Sequence, residues 1–208
     1  MRLRSRVAVS RRLVLCLGGV CAGVAIACRR SDDEAVVAAV AANFGKPFER
    51  IVEAFRKHTG AKVAVSTGST GSLYNQIVHG APFDVLLAAD AARPKLLEDA
   101  GKAVKGSRFT YAVGRLALYG KALPDGRQGE RILREAKVRN FAIANPRTAP
   151  YGVAATQVLQ KFGVHERTNL VRAENVTQTF QFVETGSAEL GLVALSSLLG
   201  KPESSYWL

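Results

Sequence analysis

Past residue 28 the chain has no cysteine: Cys16, Cys21 and Cys28 are the full set of 3. The rest of the chain can form neither a disulfide framework nor a thiolate metal site. Histidine is nearly as scarce, with only His58, His79 and His165. The first two fall near predicted helix ends, the ordinary place of a solvated terminal residue, and the third falls in a predicted loop. General acid–base chemistry therefore has few candidates. No G-x-x-x-x-G-K-[ST] stretch occurs, which excludes a phosphate-cradling nucleotide loop. No G-x-S-x-G elbow occurs either, so Ser69 is not set up as a nucleophile. Carboxylates at metal-cage spacing are missing, and Asp32-Asp33-Glu34 reads as a solvated linker. Acids number 17 against 29 Lys and Arg, for a net charge of +12. Five of the positive charges (Arg2, Arg4, Arg6, Arg11, Arg12) lie before residue 13, leaving +7 from Cys28 onward. Those are scattered, aromatic residues are only 7%, and no nucleic-acid motif is present. The expectation is a protein without catalysis, resident cofactor or nucleic-acid partner.

The apolar run at residues 13–27 is shorter than the ~20 residues a membrane-spanning helix needs. Behind an Arg-rich start it fits a signal peptide over 1–27, ended by Ala25-Ile26-Ala27; an uncleaved anchor helix is the alternative. Ser10-Arg11-Arg12-Leu13-Val14-Leu15 resembles a twin-arginine export signal, with Val14 where Phe is usual. Ala25-Ile26-Ala27-Cys28 resembles a lipoprotein box, which makes Cys28 a candidate lipid anchor. Residues 28–34 read as a linker. The body then has enough of the 208 residues, at 48% apolar overall, for one or two compact units.

In that body strands and helices alternate. Ala35–Ala42 is a continuous small apolar run, suited to a strand buried on both faces. Pro47–His58 has helical spacing, with Phe48, Ile51, Val52 and Phe55 on one face. Ala61–Ser66 is a strand, followed by the Gly/Ser/Thr turn Ser66–Ser72 and a helix that carries Leu73, Ile77 and Val78 and ends at Gly80. Phe83–Asp90 is a strand and Pro94–Ala100 a short helix. Phe109–Tyr119 reads as a strand with Tyr111, Val113, Leu116 and Leu118 inward. Pro124–Arg127 is a turn, Ile132–Ala136 a short helix, Asn140–Ala144 a strand and Val153–Phe162 a helix. A strand at Leu170–Ala173, a helix at Thr177–Thr185 and a strand at Leu190–Ala194 complete the pattern. The class is α/β with largely parallel sheets. Four places share one grammar of strand end, small turn and helix start: Asn43, Thr70, Tyr151 and Val176. Helix N-termini present free N–H groups and favour anions, and ligands of such sheets bind at the strand carboxyl ends. The plainer reading of Ser69 or Thr70 is a helix cap. Two of the four places fall before residue 107 and two after, which suggests two lobes, 35–107 and 108–208, facing one cleft.

These segments resemble a known family, the molybdate/tungstate-binding proteins that feed ABC importers. The resemblance spans Ala35 to Trp207. It rests on Ala42-Asn43-Phe44, Gly68-Ser69-Thr70-Gly71 with Gln76-Ile77, Gly80–Val85 with Ala89-Asp90, and Gly106–Gly114. It continues through Asn145-Pro146 with Ala149–Gly152, Ala173–Val176 and Leu190–Ala194. The family implies a two-lobed, type II periplasmic-binding-protein fold that closes on its anion by a hinge. It implies a monomer, exported to the periplasm, that delivers molybdate or tungstate to a membrane importer subunit and touches the membrane only through a lipid anchor. Carried over by position, the ligand-binding residues are Asn43, Thr70 (hydroxyl and N–H), and the backbone N–H of Tyr151 and Val176, flanked by Ala42 and Ser69. Ala42 stands where the family often has a hydroxyl, and Ala194 where some members place Tyr. The family chain also returns to its first lobe after this point, so a C-terminally incomplete lobe I is expected. Another tetrahedral oxyanion such as sulfate, or a module that has lost transport, are the alternative readings.

Overall fold

The structure, a computed structural model, describes residues 35–121, 123, 128–135, 138–164 and 168–208. The export signal, Cys28, the linker, the turn expected at Pro124–Arg127 and His165 lie outside the described residues.

β1 (Val36–Ala41) is the centre of the first sheet, and its last four residues are buried. It pairs in parallel with β2 (Val63–Gly68) on one side and β3 (Val85–Leu87) on the other. A small, apolar strand suits this place because both of its faces are covered. α2 (Thr70–Val78) and α3 (Ala92–Asp99) cover one face, where Leu73, Ile77, Leu86 and Leu97 form the core of the first lobe. A 3-10 turn at Ala42–Phe44 leads from β1 into α1 (Gly45–Thr59). Gly60 ends α1 in the left-handed conformation, φ 72°, which costs glycine nothing.

The second sheet has five strands in the order β6-β5-β7-β4-β8. β4 is Leu116–Tyr119, β5 Asn140–Ala144, β6 Asn169–Ala173, β7 Leu190–Ala194 and β8 Tyr206–Trp207. β5 runs parallel to β6 and β7, whereas β4 runs antiparallel to β7 and to β8. The helices are α4 (Gly129–Glu135), α5 (Pro150–Lys161) and α6 (Val176–Glu184). Leu118, Leu133, Phe141, Ile143 and Leu159 fill one side of the sheet. Ala117, Tyr119, Ala142, Val183 and Val193 fill the other. On that second side the Tyr119 hydroxyl donates to Glu184, whose other carboxylate oxygen takes Lys201 at 3.0 Å. The pairing fastens the segment after β7 onto α6.

The α/β class and the two lobes match the sequence reading, but three details differ. The second sheet is mixed rather than largely parallel, because β4 enters after the chain has crossed between the lobes and β8 adds beside it. The strand expected over Phe109–Tyr119 is confined to β4. Residues 107–115 cross from the first lobe to the second without a strand partner among the described residues, and Phe109 and Val113 are 73% and 86% exposed. The apolar face of α1 is also open, with Ile51 51% and Phe55 46% exposed. Its helical spacing is right, but only part of that face is covered: Phe48 and Val52 are half-buried, and Ile51 and Phe55 stay open.

Candidate functional site

Each of the three helices that face the seam between the lobes starts differently, and each start leaves one N–H over. In α2, Ser69 is the N-cap: its hydroxyl accepts from Ser72 N–H at 3.3 Å and pairs with the Ser72 hydroxyl at 2.8 Å. The Gly71 N–H crosses to the second lobe and donates to Thr148 O at 2.8 Å. Thr70 N–H is what remains of that turn. The Thr70 hydroxyl accepts from Ala89 N–H at 3.0 Å. Its oxygen is thereby engaged as acceptor, which turns the hydroxyl proton toward the seam as a donor. Thr70 is 1% exposed.

In α5, Pro150 takes the first helical position and has no N–H to satisfy. Gly152 and Val153 both donate to Ala149 O, at 2.9 and 3.2 Å. Among the described residues nothing accepts from Tyr151 N–H. In α6, the Asn175 side chain is the N-cap and accepts from Thr177 N–H and Gln178 N–H, each at 3.0 Å. The N–H of Val176, the first helical residue, is again left over. A cap satisfies the later donors of a turn and leaves the first one pointing outward along the helix axis, where the dipole is positive.

These groups meet in one cavity. Its walls are Ala41, Ala42 and Asn43 after β1, Gly68, Ser69 and Thr70 after β2, Ala89 after β3, and Ala149, Pro150, Tyr151, Asn175 and Val176 from the second lobe. All six residues expected from the sequence, Ala42, Asn43, Ser69, Thr70, Tyr151 and Val176, are in that set. No Lys, Arg, His, Asp or Glu is. The cavity is about 10 Å³, close to the room of one water molecule.

Bonds between the lobes surround it. Thr177 hydroxyl donates to Ala42 O at 3.0 Å, and Ser196 hydroxyl donates to Asn43 O at 2.5 Å. The Asn43 side chain hydrogen-bonds to the Tyr151 hydroxyl. Tyr151 thus enters the seam twice, by its N–H and by its ring. Its ring also abuts residue 114, where a side chain on Gly114 would meet the Tyr151 hydroxyl oxygen at 2.1 Å. The Tyr111 ring packs at a tilt against Phe44, with centroids 4.9 Å apart, and its hydroxyl donates to Ala88 O at 2.9 Å. Burial, and then the neighbouring Tyr151, push the Tyr111 phenol up to about 12. Burial raises Tyr151 too, against the opposing effect of its Asn43 bond.

The sequence reading did not assign Asn175 a role, although an Asn one residue before a helix is the strongest kind of cap signal. It did not foresee Gly71 as a contact between lobes, which only the tertiary arrangement reveals. Ala194, 0% exposed, packs with Ala144, Ala149 and Val176 beneath the cavity.

Residues 36–208 match the model of a family described as bacterial extracellular solute-binding protein. The chain belongs to that family. It is similar to the molybdate-binding protein ModA of Azotobacter vinelandii, 49% identical over 189 residues that cover 90% of this chain and 73% of that one. It is 44% identical to the molybdate-binding protein ModA of Rhodobacter capsulatus, over 83% of this chain and 69% of that one. Among solved structures, a periplasmic molybdate-binding protein of A. vinelandii superimposes with a TM-score of 0.76 at 38% identity, covering 83% of this chain and 78% of that chain.

Proposed function

We propose that this chain is the exported substrate-binding component of an ABC importer for molybdate, accepting tungstate as well. The observation that carries the reading is the convergence of three leftover helix N–H groups and the Thr70 hydroxyl on one cavity with no Lys, Arg, His, Asp or Glu in its wall. Molybdate at neutral pH is a fully deprotonated dianion. It needs donors only, and main-chain donors supply them without the desolvation cost of a buried Lys or Arg. The names of the two relatives at 49% and 44% identity support the choice of ion. In this reading Asn43 and Thr70 hold the anion from the first lobe, and Tyr151 and Val176 hold it from the second. Ser69 caps the helix that presents Thr70, and Ala42 forms wall. The anion is cargo and the protein has no catalysis or cofactor of its own; its partner is the membrane subunit of the importer. Export follows from residues 1–27, and Cys28 is the attachment point of a lipid anchor, so Cys28→Ser abolishes incorporation of labelled lipid.

The test is calorimetric titration with molybdate, tungstate, sulfate and phosphate. Molybdate and tungstate bind tightly, and sulfate, being smaller, binds weakly. Phosphate, which keeps a proton at neutral pH, finds no carboxylate in the wall to accept it and does not bind. Sulfate binding as tight as molybdate, or phosphate binding at all, overturns the assignment.

A further inference from the structure

Gly71 is the second residue of α2, and its N–H is spent on the other lobe rather than on the cavity, reaching Thr148 O at 2.8 Å. The approach that permits this bond leaves no room for a side chain. A Cβ on residue 71 would stand 2.6 Å from Thr148 O and 2.9 Å from Thr148 Cα, with Arg93 Nη2 at 3.1 Å. The first two neighbours are backbone, so they cannot swing aside as a side-chain end would. The Thr148 hydroxyl oxygen is buried at the same seam without a hydrogen-bond partner among the described residues, and the Arg93 guanidinium reaches Arg147 O at 3.4 Å. The turn that starts α5 is therefore clamped against α2 over a narrow strip beside the cavity.

We propose that Gly71 is a positioning residue that sets how closely the two lobes approach: its N–H latches the closed form, and its missing side chain is what lets that form exist. The proposal deepens the clamp reading above, on which its ligand arm rests. The local backbone gives it a clean test. Gly71 does not have a positive φ, and alanine is a better helix former than glycine. Gly71→Ala therefore leaves α2 and the first lobe folded while obstructing closure. No residue of the cavity wall is altered.

The experiment uses the full chain with Cys16, Cys21 and Cys28 replaced by Ser, carrying Ala42→Cys and Thr177→Cys as reporters across the seam, where Thr177 now bonds Ala42 O. Disulfide formation between them, without ligand, measures how often the lobes close. Gly71→Ala is expected to slow it at least tenfold while the melting temperature stays level or rises. In the chain without reporters, Gly71→Ala is expected to weaken molybdate affinity at least tenfold and to abolish the fall in radius of gyration that molybdate produces by X-ray scattering. Equal cross-linking rates with and without the substitution overturn the proposal. A parent that does not cross-link also overturns it, because the closed contact is then absent in solution. If the reporter chain cross-links readily but the chain without reporters takes up no molybdate, the choice of ion fails and the role of Gly71 is still decided by the two rates.

Discussion

Thr70 and Val176 show what a single residue contributes to this cleft, and they are testable in different ways. The Thr70 hydroxyl serves two partners, accepting from Ala89 N–H and offering its proton to the cavity. Thr70→Val removes both roles, so molybdate affinity falls by about 1–3 kcal/mol and stability falls with it. Thr70→Ser keeps both, and calorimetry with thermal melting separates the two variants. Val176 contributes only its N–H. Proline is favoured at a first helical position, and Asn175 before it is already extended, at φ −149° and ψ 173°, as a residue preceding proline must be. Val176→Pro therefore deletes one donor and leaves α6 in place. The expected result is an affinity loss of about 1–3 kcal/mol, with a lower melting temperature only to the extent that the buried Val176 side chain loses its packing against Ala144, Ala149 and Ala194. At this scale the sequence was informative. Strand end, small turn and helix start are local patterns, and they located Asn43, Thr70, Tyr151 and Val176, all of which line the cavity. The division of labour within each turn was not legible. Whether Ser69 or Thr70 caps α2 depends on where Ala89 sits, and that is a matter of sheet packing.

Among the elements, α6 depends most plainly on one side chain. Asn175 satisfies two N–H groups of its first turn, and Asn175→Ala is expected to destabilise the protein by about 1 kcal/mol and to weaken anion binding as that turn frays. Melting and titration of the same variant check both. The tight turn from β5 into α5 depends on Gly152 instead, since a Cβ there would stand 2.3 Å from Ala144 O. The strands read correctly from sequence were those with an apolar run and a clear stop, such as β5 and β7. The reading failed over 109–115 because alternation in sequence cannot reveal whether a partner strand lies alongside. It failed over the face of α1 for the same reason: Phe48, Ile51, Val52 and Phe55 are spaced to be covered, but coverage is a property of neighbours.

The whole molecule is two lobes bridged at residues 107–115 and bonded across the seam, so closure and stability are linked there. Limited chymotrypsin digestion is expected to cut first after Phe109, which is 73% exposed, and molybdate is expected to slow the cut by holding the lobes together. High pH acts on the same region through Tyr111. Its phenol is raised from 10.0 to about 12 in the folded protein, so the folded state retains a proton that the unfolded chain loses first. Stability is therefore unaffected below pH 10 and declines as pH rises from about 10 to about 12. Denaturant melts across that window show the decline, and Tyr111→Phe reduces its slope.

Two of the four residues assigned to the anion, Tyr151 and Val176, reach it only through main-chain N–H groups, and a main-chain donor is indifferent to the side chain it carries. Conventional alanine scanning would pass over Tyr151 N–H and Val176 N–H altogether. What fixes them is reading frame along the helix: each residue turns a helix by about 100°. Deleting one of residues 146–148 would move the start of α5, and with it the leftover N–H, away from the cavity without removing any residue that lines it. Length variation in that turn, rather than its composition, is where this half of the site is recorded.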